Sequence, residues 1–402
     1  MKKPSAIIFC LLFLVTGMKH GMAQTDSAQY HIAVFLPLYL DSAFDATGNY
    51  RFEQNFPKYF NPGLEFYEGL ELAMDSLHKK NSPLEISIYD TRSATKSVQQ
   101  ILEDPEFSKM QLIIGHVTPA ELRLLANAAL EKSIPFINVN FPNDGGVSNN
   151  PEFVILNTTL HSHCEGLYKF IQRNWATSNI LYLRKNGVQE DRLKNDFSLI
   201  EKNTPSVPLR MKYMSADNGL DPRQILPYLD SNTKTVILFG SLDEGFAKSV
   251  CAQLATLSKT YPMKILGMPT WDAITNFNTP AFTDLEIYYT TPFYINPADS
   301  LVMSIQQYFK TRFYSRPSDM VFRGFETILH FSQLLELHKG RMDGSVGEKK
   351  FRVFNDFDIQ PVLANKENNN PPLPGQGFTF QYLENRKLYI IKKVNGNVMA
   401  VY

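Results

Sequence analysis

The hydrophobic pattern of residues 30–266 alternates between two kinds of segment. Short apolar runs typical of buried strands are separated by longer stretches, such as 63–77, whose apolar residues recur every three or four positions as on one face of a helix. The strand-like runs form two successive groups: 31–40, 84–90, 111–117 and 134–141, then 179–186, 209–216, 235–241 and 264–270. Strands interleaved with helices pair in parallel through right-handed connections. The pattern therefore predicts two α/β blocks of similar size and a two-lobed protein.

The last third of the chain has a different pattern. Its predicted elements are a strand at 285–295, helices near 298–314 and 320–338, a polar, proline-rich loop at 364–377, and strands to the end of the chain. Asn395-Gly396 lies between two of the terminal strands and is typical of a two-residue hairpin turn.

The N-terminus has the features of a secretory signal. Lys2 and Lys3 precede an apolar run at 6–15, and Gly21-Met22-Ala23 supplies the small residues of a cleavage site. The run is too short to span a bilayer, and no later stretch approaches 18 apolar residues. We therefore expect residues 1–23 to be removed and the mature chain to be periplasmic or secreted, without membrane insertion. No lipid anchor is expected, because Cys10 lacks the small-residue context of a lipoprotein cysteine.

Composition excludes several classes of function. The 402-residue chain has 40 basic and 40 acidic residues with no long run of either sign, so it lacks the basic footprint of a nucleic-acid binder. Cys164 and Cys251 remain after the signal, too few for a disulfide framework in a chain of this size. Phosphate-loop, dinucleotide, nucleophile-elbow and zinc-protease motifs are absent from the sequence. We expect no enzyme activity, cofactor or metal.

One short stretch, HSHCEG at 161–166, has two interpretations. His161, His163, Cys164 and Glu165 are all potential metal ligands or catalytic groups. Alternatively, Ser162 and Glu165 form the capping box of a helix that begins at His163 and turns Cys164 inward on an apolar stripe. We favour the helix start, because it makes the four groups diverge.

The order of these segments resembles the type I periplasmic binding proteins, in particular the branched-chain amino acid and leucine-binding group. The stretches that carry the resemblance are IAVFLPL, GLEFYEGLELAMDSL, IIGHVTPAELRLLANAALEKSIPFINV, LFGSLDEGFAKSV and SDMVFRGFETILHFSQLLE. It covers nearly all of the chain from Tyr30 to Tyr402, mainly in the order and spacing of elements.

The resemblance implies an α/β fold of two doubly wound parallel-sheet lobes, joined by three crossovers and closing on a ligand between them. Mapped onto this chain, lobe 1 comprises 27–156 and 292–345, and lobe 2 comprises 158–290 and 346–402. The hinges are expected near Asn157–Thr159, Tyr289–Phe293 and Gly344–Lys349.

The resemblance also points to an atypical set of ligand contacts. The candidates are Thr118, Asn140, Asn143, Thr159, His161, Glu244, Trp271 and Tyr289. Each has a structural alternative: a helix cap for Thr118, a polar turn for Asn140 and Asn143, a helix N-terminus for Glu244, and core packing for the aromatic residues.

Two functions follow as hypotheses. The first is an extracytoplasmic solute-binding protein that closes on a small polar, amino acid-like ligand for uptake or sensing, with a membrane permease as a further partner. The alternative is a non-transport regulator or scaffold of the cell envelope with the same fold, which binds a protein partner.

Overall fold

The structure, a computed structural model, describes residues 29–216, 219–363 and 379–401 of the chain. The predicted signal at 1–23 and the predicted polar loop at 364–377 lie outside the described residues.

The elements alternate along most of the chain. The strands are β1 (Tyr30–Leu36), β2 (Leu84–Asp90), β3 (Leu112–Gly115), β4 (Phe136–Asn138), β5 (Phe153–Ile155), β6 (Asn179–Arg184), β7 (Met211–Ser215), β8 (Thr235–Phe239), β9 (Met263–Leu266), β10 (Glu286–Thr291), β11 (Ile359–Leu363), β12 (Phe380–Asn385), β13 (Tyr389–Val394) and β14 (Asn397–Ala400). The α-helices are α1 (Leu40–Ala43), α2 (Asn61–His78), α3 (Val98–Leu102), α4 (Pro119–Lys132), α5 (Leu160–Trp175), α6 (Val188–Asn203), α7 (Pro222–Ile225), α8 (Glu244–Leu257), α9 (Ser300–Arg312) and α10 (Asp319–Leu337).

The strands form two seven-stranded sheets, one in each lobe. The first has the order β11-β12-β5-β4-β3-β1-β2, and the second has the order β14-β13-β10-β9-β8-β6-β7. In the first sheet the six strands from β12 to β2 are parallel to one another, and the edge strand β11 is antiparallel to β12. The second sheet is parallel from β10 to β7, with β13 and β14 antiparallel at its edge.

Both faces of each sheet are covered by helices. Along β1, Ile32 and Val34 belong to one buried core, while Ala33 and Phe35 belong to a second core on the opposite face. Successive side chains of a strand point to opposite faces, so continuous apolar runs like this one indicate burial on both sides. The predicted fold class, two doubly wound parallel-sheet lobes, is therefore confirmed.

Three crossovers connect the lobes, at 156–159, 292–299 and 386–388. The first contains the expected hinge at 157–159, and the second overlaps the expected hinge at 289–293 only at residues 292–293, because 289–291 belong to β10. The third was predicted at Gly344–Lys349, but β11 and β12 lie in the first sheet, so the chain returns to the second lobe only after Asn385. The expected boundary that gave 346–402 to lobe 2 is corrected by this pairing, since β12 hydrogen-bonds to β5.

The helices α2 and α10 pack unusually closely in the first lobe. A Cβ atom added to Gly324 would lie 2.3 Å from the Phe66 carbonyl oxygen, and one added to Gly69 would lie 2.0 Å from that of Val321. Both distances are far below van der Waals contact, so glycine at these two positions permits the backbones to approach. This contact fixes the position of α10, whose first turns reach the space between the lobes.

The helix that contains HSHCEG starts earlier than predicted. It begins at Leu160 with Thr159 as its N-cap, and the Thr159 hydroxyl accepts a hydrogen bond from the Ser162 amide at 3.4 Å. Ser162 is buried within the first turn, and Glu165 pairs with Lys169 rather than turning back to Ser162. The predicted inward position of Cys164 is confirmed, since it is fully buried.

The predicted hairpin at the end of the chain is also confirmed. Val394 and Asn397 pair across the turn, and Asn395 and Gly396 both have positive φ, as a type I′ turn requires. In the described part of the chain, no helix is both long and apolar enough to cross a membrane.

Candidate functional site

A cavity of about 150 Å³ lies between the two lobes, beside the second crossover. The second lobe contributes Asp272, Tyr289, Thr291, Ile391 and Val398, the first lobe contributes Asp319 and Arg323 of α10, and the crossover contributes Phe293, Tyr294 and Ile295. Because both lobes and the segment joining them supply its walls, a molecule bound here would touch every part that moves when the lobes open or close.

Arg323 supplies the positive charge of this cavity. Its Nε is buried and has no hydrogen-bond partner, and no carboxylate lies within ion-pair distance among the described residues. The guanidinium stacks over the ring of Phe293, with Cζ 4.2 Å from the ring centroid. Burial lowers the pKa of Arg323, while Asp319, Asp272 and Glu326 act in the opposite direction from a distance.

The Arg323 side chain is half-buried, but its Nε is cut off from water without a partner, which is an unfavourable arrangement for an isolated protein. Removing a charged group from water costs several kcal/mol unless ion pairs or hydrogen bonds offset it. A cation–π contact such as the one with Phe293 returns only about 0.5–2 kcal/mol. Arg323 is therefore positioned to receive an anionic group that the structure itself does not supply.

Two carboxylates face the same cavity from opposite lobes. Asp272 follows β9 in the second lobe, and Asp319 opens α10 in the first. Burial is the main cause that raises the pKa of Asp272, and a hydrogen bond from the Tyr289 hydroxyl lowers it. Neither carboxylate forms an ion pair within the described residues. The cavity thus presents one unpaired cation and two unpaired anions.

The crossover beside the cavity is held by a buried polar chain. The Glu326 carboxylate accepts hydrogen bonds from the backbone amides of Phe354 and Asn355 and from the Asn355 side-chain nitrogen. The side-chain oxygen of Asn355, Oδ1, accepts a hydrogen bond from the Tyr294 amide at 2.8 Å. Two charged residues of α10 therefore hold the crossover. Arg323 stacks on Phe293, and Glu326 positions Tyr294 through the Asn355 side chain.

The carboxyl edge of the first sheet carries polar groups that mostly satisfy one another. Asp90 accepts amide hydrogen bonds from Leu38, Tyr39 and Leu40, which fixes the loop that follows β1. The Asn140 side chain accepts from the Val117 amide at 2.8 Å and donates to its carbonyl oxygen at 2.9 Å.

A neighbouring ion pair occupies the start of α4. Arg92 and Glu121 lie 2.8 Å apart, and Glu121 also accepts from the Thr118 amide. His116, at the end of β3, is kept neutral near physiological pH, because burial and then the charges of Arg323 and Arg92 lower its pKa to about 4. His116 can therefore act as a hydrogen-bonding group at neutral pH but adds no charge.

The structure places the three predicted first-lobe contacts at this edge. Thr118 is the N-cap of α4, and Asn140 lies beside it, bonded to Val117 as described above. Asn143 is exposed in a turn, where its side chain accepts from the Gly145 amide. None of the three lines the interlobe cavity.

Thr159 ends the first crossover, and His161 lies in the first turn of α5. The amide and hydroxyl of Thr159 both donate to the buried carboxylate of Glu384, at 2.9 and 2.8 Å. His161 lines a separate open groove of about 810 Å³ together with Glu165 and Arg386. His163 is buried and bonds Thr290 through Nδ1 at 2.7 Å. Among the described residues, no three His, Cys, Asp or Glu side chains are grouped so that they could hold a metal ion.

The second-lobe candidates separate from one another. Glu244 begins α8 and pairs with Lys248 at 3.5 Å. Trp271 is completely buried against Phe239 and faces the lobe core rather than the cavity. Tyr289 is the one of the eight candidates that lines the interlobe cavity.

The charged residues of α10 were missed, although the sequence holds a signal for them. Asp319, Arg323 and Glu326 stand at i, i+4 and i+7 of a helix that is otherwise strongly apolar, so they share one face. Asp319 is exposed, Arg323 is half-buried and Glu326 is buried, so the face runs from solvent into the core, and charges placed along the burial gradient of an apolar helix indicate a site.

Comparison with known proteins supports the fold and leaves the ligand open. The sequence matches no protein-family profile and no curated protein. Among solved structures, the chain is similar to a putative branched-chain amino acid ABC transporter from Rhodospirillum rubrum, with a TM-score of 0.65, 12% identity, and coverage of 93% of this chain and 100% of that one. It is also similar to a branched-chain amino acid ABC transporter periplasmic ligand-binding protein from Burkholderia xenovorans LB400, with a TM-score of 0.57, 11% identity, and coverage of 93% and 95%.

A third similar structure belongs to a different functional class. It is the C-domain of LpoA from Haemophilus influenzae, a regulator of PBP1A, with a TM-score of 0.54, 13% identity, and coverage of 92% of this chain and 100% of that one. The protein therefore has the type I periplasmic binding protein fold, a fold that serves both solute binders and a regulator.

Proposed function

We propose that the protein is a non-enzymatic extracytoplasmic binding protein that closes its two lobes around a small dipolar ligand, amino acid-like in its charges. The observation that carries this proposal is the unpaired guanidinium of Arg323 in the interlobe cavity, which is half-buried and whose Nε is fully buried without a partner. Its role would be to hold the anionic group of the ligand, since guanidinium and carboxylate form the strongest hydrogen-bonded ion pairs available to proteins.

Asp272 and Asp319 are the other two charged residues of the proposed ligand site. A ligand ammonium group between them would attract both carboxylates and reduce their mutual repulsion, and would favour the closed arrangement because the two come from opposite lobes. Phe293 and Tyr294 supply an apolar wall for the rest of the ligand. Uptake through a membrane permease and sensing are both compatible with this site, and the signal-like N-terminus supports a periplasmic or secreted location.

The test is a thermal-shift and calorimetry screen built around charge. Each amino acid is compared with its decarboxylated amine and its deaminated acid, at concentrations up to about 10 mM. A ligand at 100 times its dissociation constant adds about 2.7 kcal/mol of stability, which is readily seen as a raised Tm. The proposal expects at least one zwitterion to raise the Tm while its amine and acid counterparts do not. A flat response of the wild-type protein to every zwitterion would refute it.

Variants separate the site from general effects. Arg323→Met should abolish the shift and leave the ligand-free Tm unchanged or higher, because it replaces an unpaired, half-buried charge by an apolar side chain of similar length. Arg123→Met, at an exposed arginine of α4 that bonds the Gly145 carbonyl, is the matched control and should retain the shift. Loss of the shift in both variants would contradict the assignment of Arg323.

A further inference from the structure

A second surface, which shares no residue with the interlobe cavity, lies on the outside of the first lobe between α2 and α9. It is a groove of about 250 Å³ with two unlike walls. One wall carries Glu68, Glu71 and Asp75 of α2, and the other carries Tyr308, Phe309 and Phe313 at the end of α9. We refer to it as the acidic groove.

The acidic wall is not neutralised by the chain. Glu65, Glu68, Glu71 and Asp75 follow one another along one face of α2, over about 15 Å at 1.5 Å per residue. The neutral hydroxyls of Ser318 and Tyr67 donate to Glu65 and Glu71, but no Lys or Arg forms an ion pair with any of the four in the part of the chain that the structure describes. Burial, and then the neighbouring Glu65 and Glu71, raise the pKa of Glu68, which shows that the like charges act on one another.

The opposite wall is aromatic and partly exposed. The rings of Tyr308, Phe309 and Phe313 contact one another, with centroids 5.2–6.0 Å apart. Tyr308 is 43% exposed and Phe313 is 49% exposed, and Met74 of α2 adds a further exposed side chain to the groove. Exposed apolar patches of this kind, rimmed by charge, are typical of surfaces that bind another protein.

We propose that the acidic groove docks a basic amphipathic helix of a partner protein. Lysine or arginine side chains of that helix would lie along the carboxylates of α2, and its apolar side chains would cover Tyr308 and Phe313, as in other helix-in-groove complexes. The commitment to a cationic partner rests on charge complementarity, because four carboxylates without a counter-charge would repel an acidic segment and would lose their hydration without compensation against a neutral apolar one. The aromatic wall adds to the attraction, since rings bind cations through their faces. This docking site is independent of the proposed ligand in the cavity.

The experiment uses the full mature chain and a synthetic helical peptide of about 16 residues with lysines on one face and leucines on the other. The same peptide with glutamate in place of lysine is the negative probe. Fluorescence anisotropy at low and high salt should show binding of the lysine peptide alone, with affinity falling as salt rises. The triple variant Glu68→Gln, Glu71→Gln and Asp75→Asn should bind at least tenfold more weakly, and Phe313→Ala at least threefold more weakly.

A matched control removes equal kinds of charge elsewhere on the same lobe. Glu53→Gln, Glu103→Gln and Glu131→Gln together remove the same three charges at exposed positions, and this variant should bind as the wild type does. Equal weakening by this control and by the triple variant would show that only net charge matters and would overturn the proposal. The absence of binding would also overturn the proposal. Displacement of the peptide by tetramethylammonium, with an affinity equal to that of the peptide, would overturn it too, because the groove would then be a site for small cations. Dimerisation of the wild type that the triple variant abolishes would assign the groove to a second copy of the chain instead. Circular dichroism confirms that each variant is folded.

Discussion

Replacing Glu326 by glutamine should remove a specific pH dependence of stability from the first lobe. Glu326 is 1% exposed, and burial raises its pKa to about 7, while the hydrogen bonds from Asn355 and Phe354 act to lower it. The three donors favour the ionised form and the surrounding core favours the neutral form. The balance places the titration of this group close to neutral pH.

The magnitude follows from the difference between the native pKa of about 7 and the ordinary value of 4.5. At about 1.36 kcal/mol per pKa unit, this corresponds to about 3 kcal/mol. Because the native pKa is raised, the native state binds more protons than the unfolded state between pH 4.5 and 7. Stability therefore falls as pH rises through this window, with about 2.5 kcal/mol of the effect between pH 5 and pH 8.

Glutamine keeps the shape of the side chain and removes the titration. Its carbonyl oxygen can still accept from the Phe354 and Asn355 amides, but its amide nitrogen would face the Asn355 side-chain nitrogen, donor against donor. Rotating the Asn355 amide would repair this contact and take its oxygen away from the Tyr294 amide. The variant therefore loses one hydrogen bond, about 1 kcal/mol, at every pH.

The assay is urea unfolding of both proteins at pH 5, 6, 7 and 8, followed by circular dichroism. Tryptophan fluorescence is unsuitable here, because Trp175 and Trp271 both lie in the second lobe. The free-energy difference between wild type and Glu326→Gln should change by about 2.5 kcal/mol across this range, in favour of the variant at high pH. Comparing the two proteins cancels the contribution of the histidines. Parallel curves would refute the reasoning and show that the three hydrogen bonds fully offset the burial of the charge.

Two further predictions concern packing and acid stability. Gly324→Ala should destabilise the first lobe by about 3 kcal/mol in urea unfolding, because the new Cβ would lie 2.3 Å from the Phe66 carbonyl oxygen, whereas Gly245→Ala, which meets only the Asp243 side chain at 3.2 Å, should not. Equal stability of both alanine variants would mean that α2 and α10 can move apart. Burial lowers the pKa of His163 to about 3, below its ordinary 6.5, so protons bind preferentially to the unfolded state and stability should rise by about 2.5 kcal/mol from pH 4.5 to 7. His163→Gln should flatten this rise in a fluorescence-detected titration of the second lobe, and an unchanged slope would argue against a neutral His163.

The order of the elements could be predicted from the sequence because each helix or strand is indicated by the local spacing of its own apolar residues. The assignment of the last strands to a sheet could not, since β12 joins β5 through pairs such as Leu383 with Val154, which are 229 positions apart. The predicted start of α5 was wrong for a similar reason. Thr159 and Ser162 both suit an N-cap, and the choice is made by Glu384, which binds the Thr159 amide and hydroxyl from a distant segment.

The expected ligand contacts and the lining of the interlobe cavity share one residue. That residue is Tyr289, an aromatic side chain near the end of β10, and its role as a ligand contact stays a prediction. Arg323 was overlooked because the helix around it matches the apolar pattern of a core element, and the pattern alone does not show which side of α10 faces the second lobe. Only the packing of α2 against Gly324 turns that side toward the cavity.

The pairing of β12 with β5 bears on how the chain acquires its structure. Five of the seven strands of the first sheet come from residues 30–155, and the other two come from residues 359–385. A fragment that ends before residue 359 therefore holds five strands, with the edge of β5 unpaired. Such long-range closure is slow, and open strand edges promote misassembly. A chain emerging from a ribosome or a translocon would therefore complete its first lobe only when almost the whole sequence is available. Truncation before Asn385 should yield an aggregation-prone fragment, and a chaperone that shields β5 until then would improve the yield of folded protein.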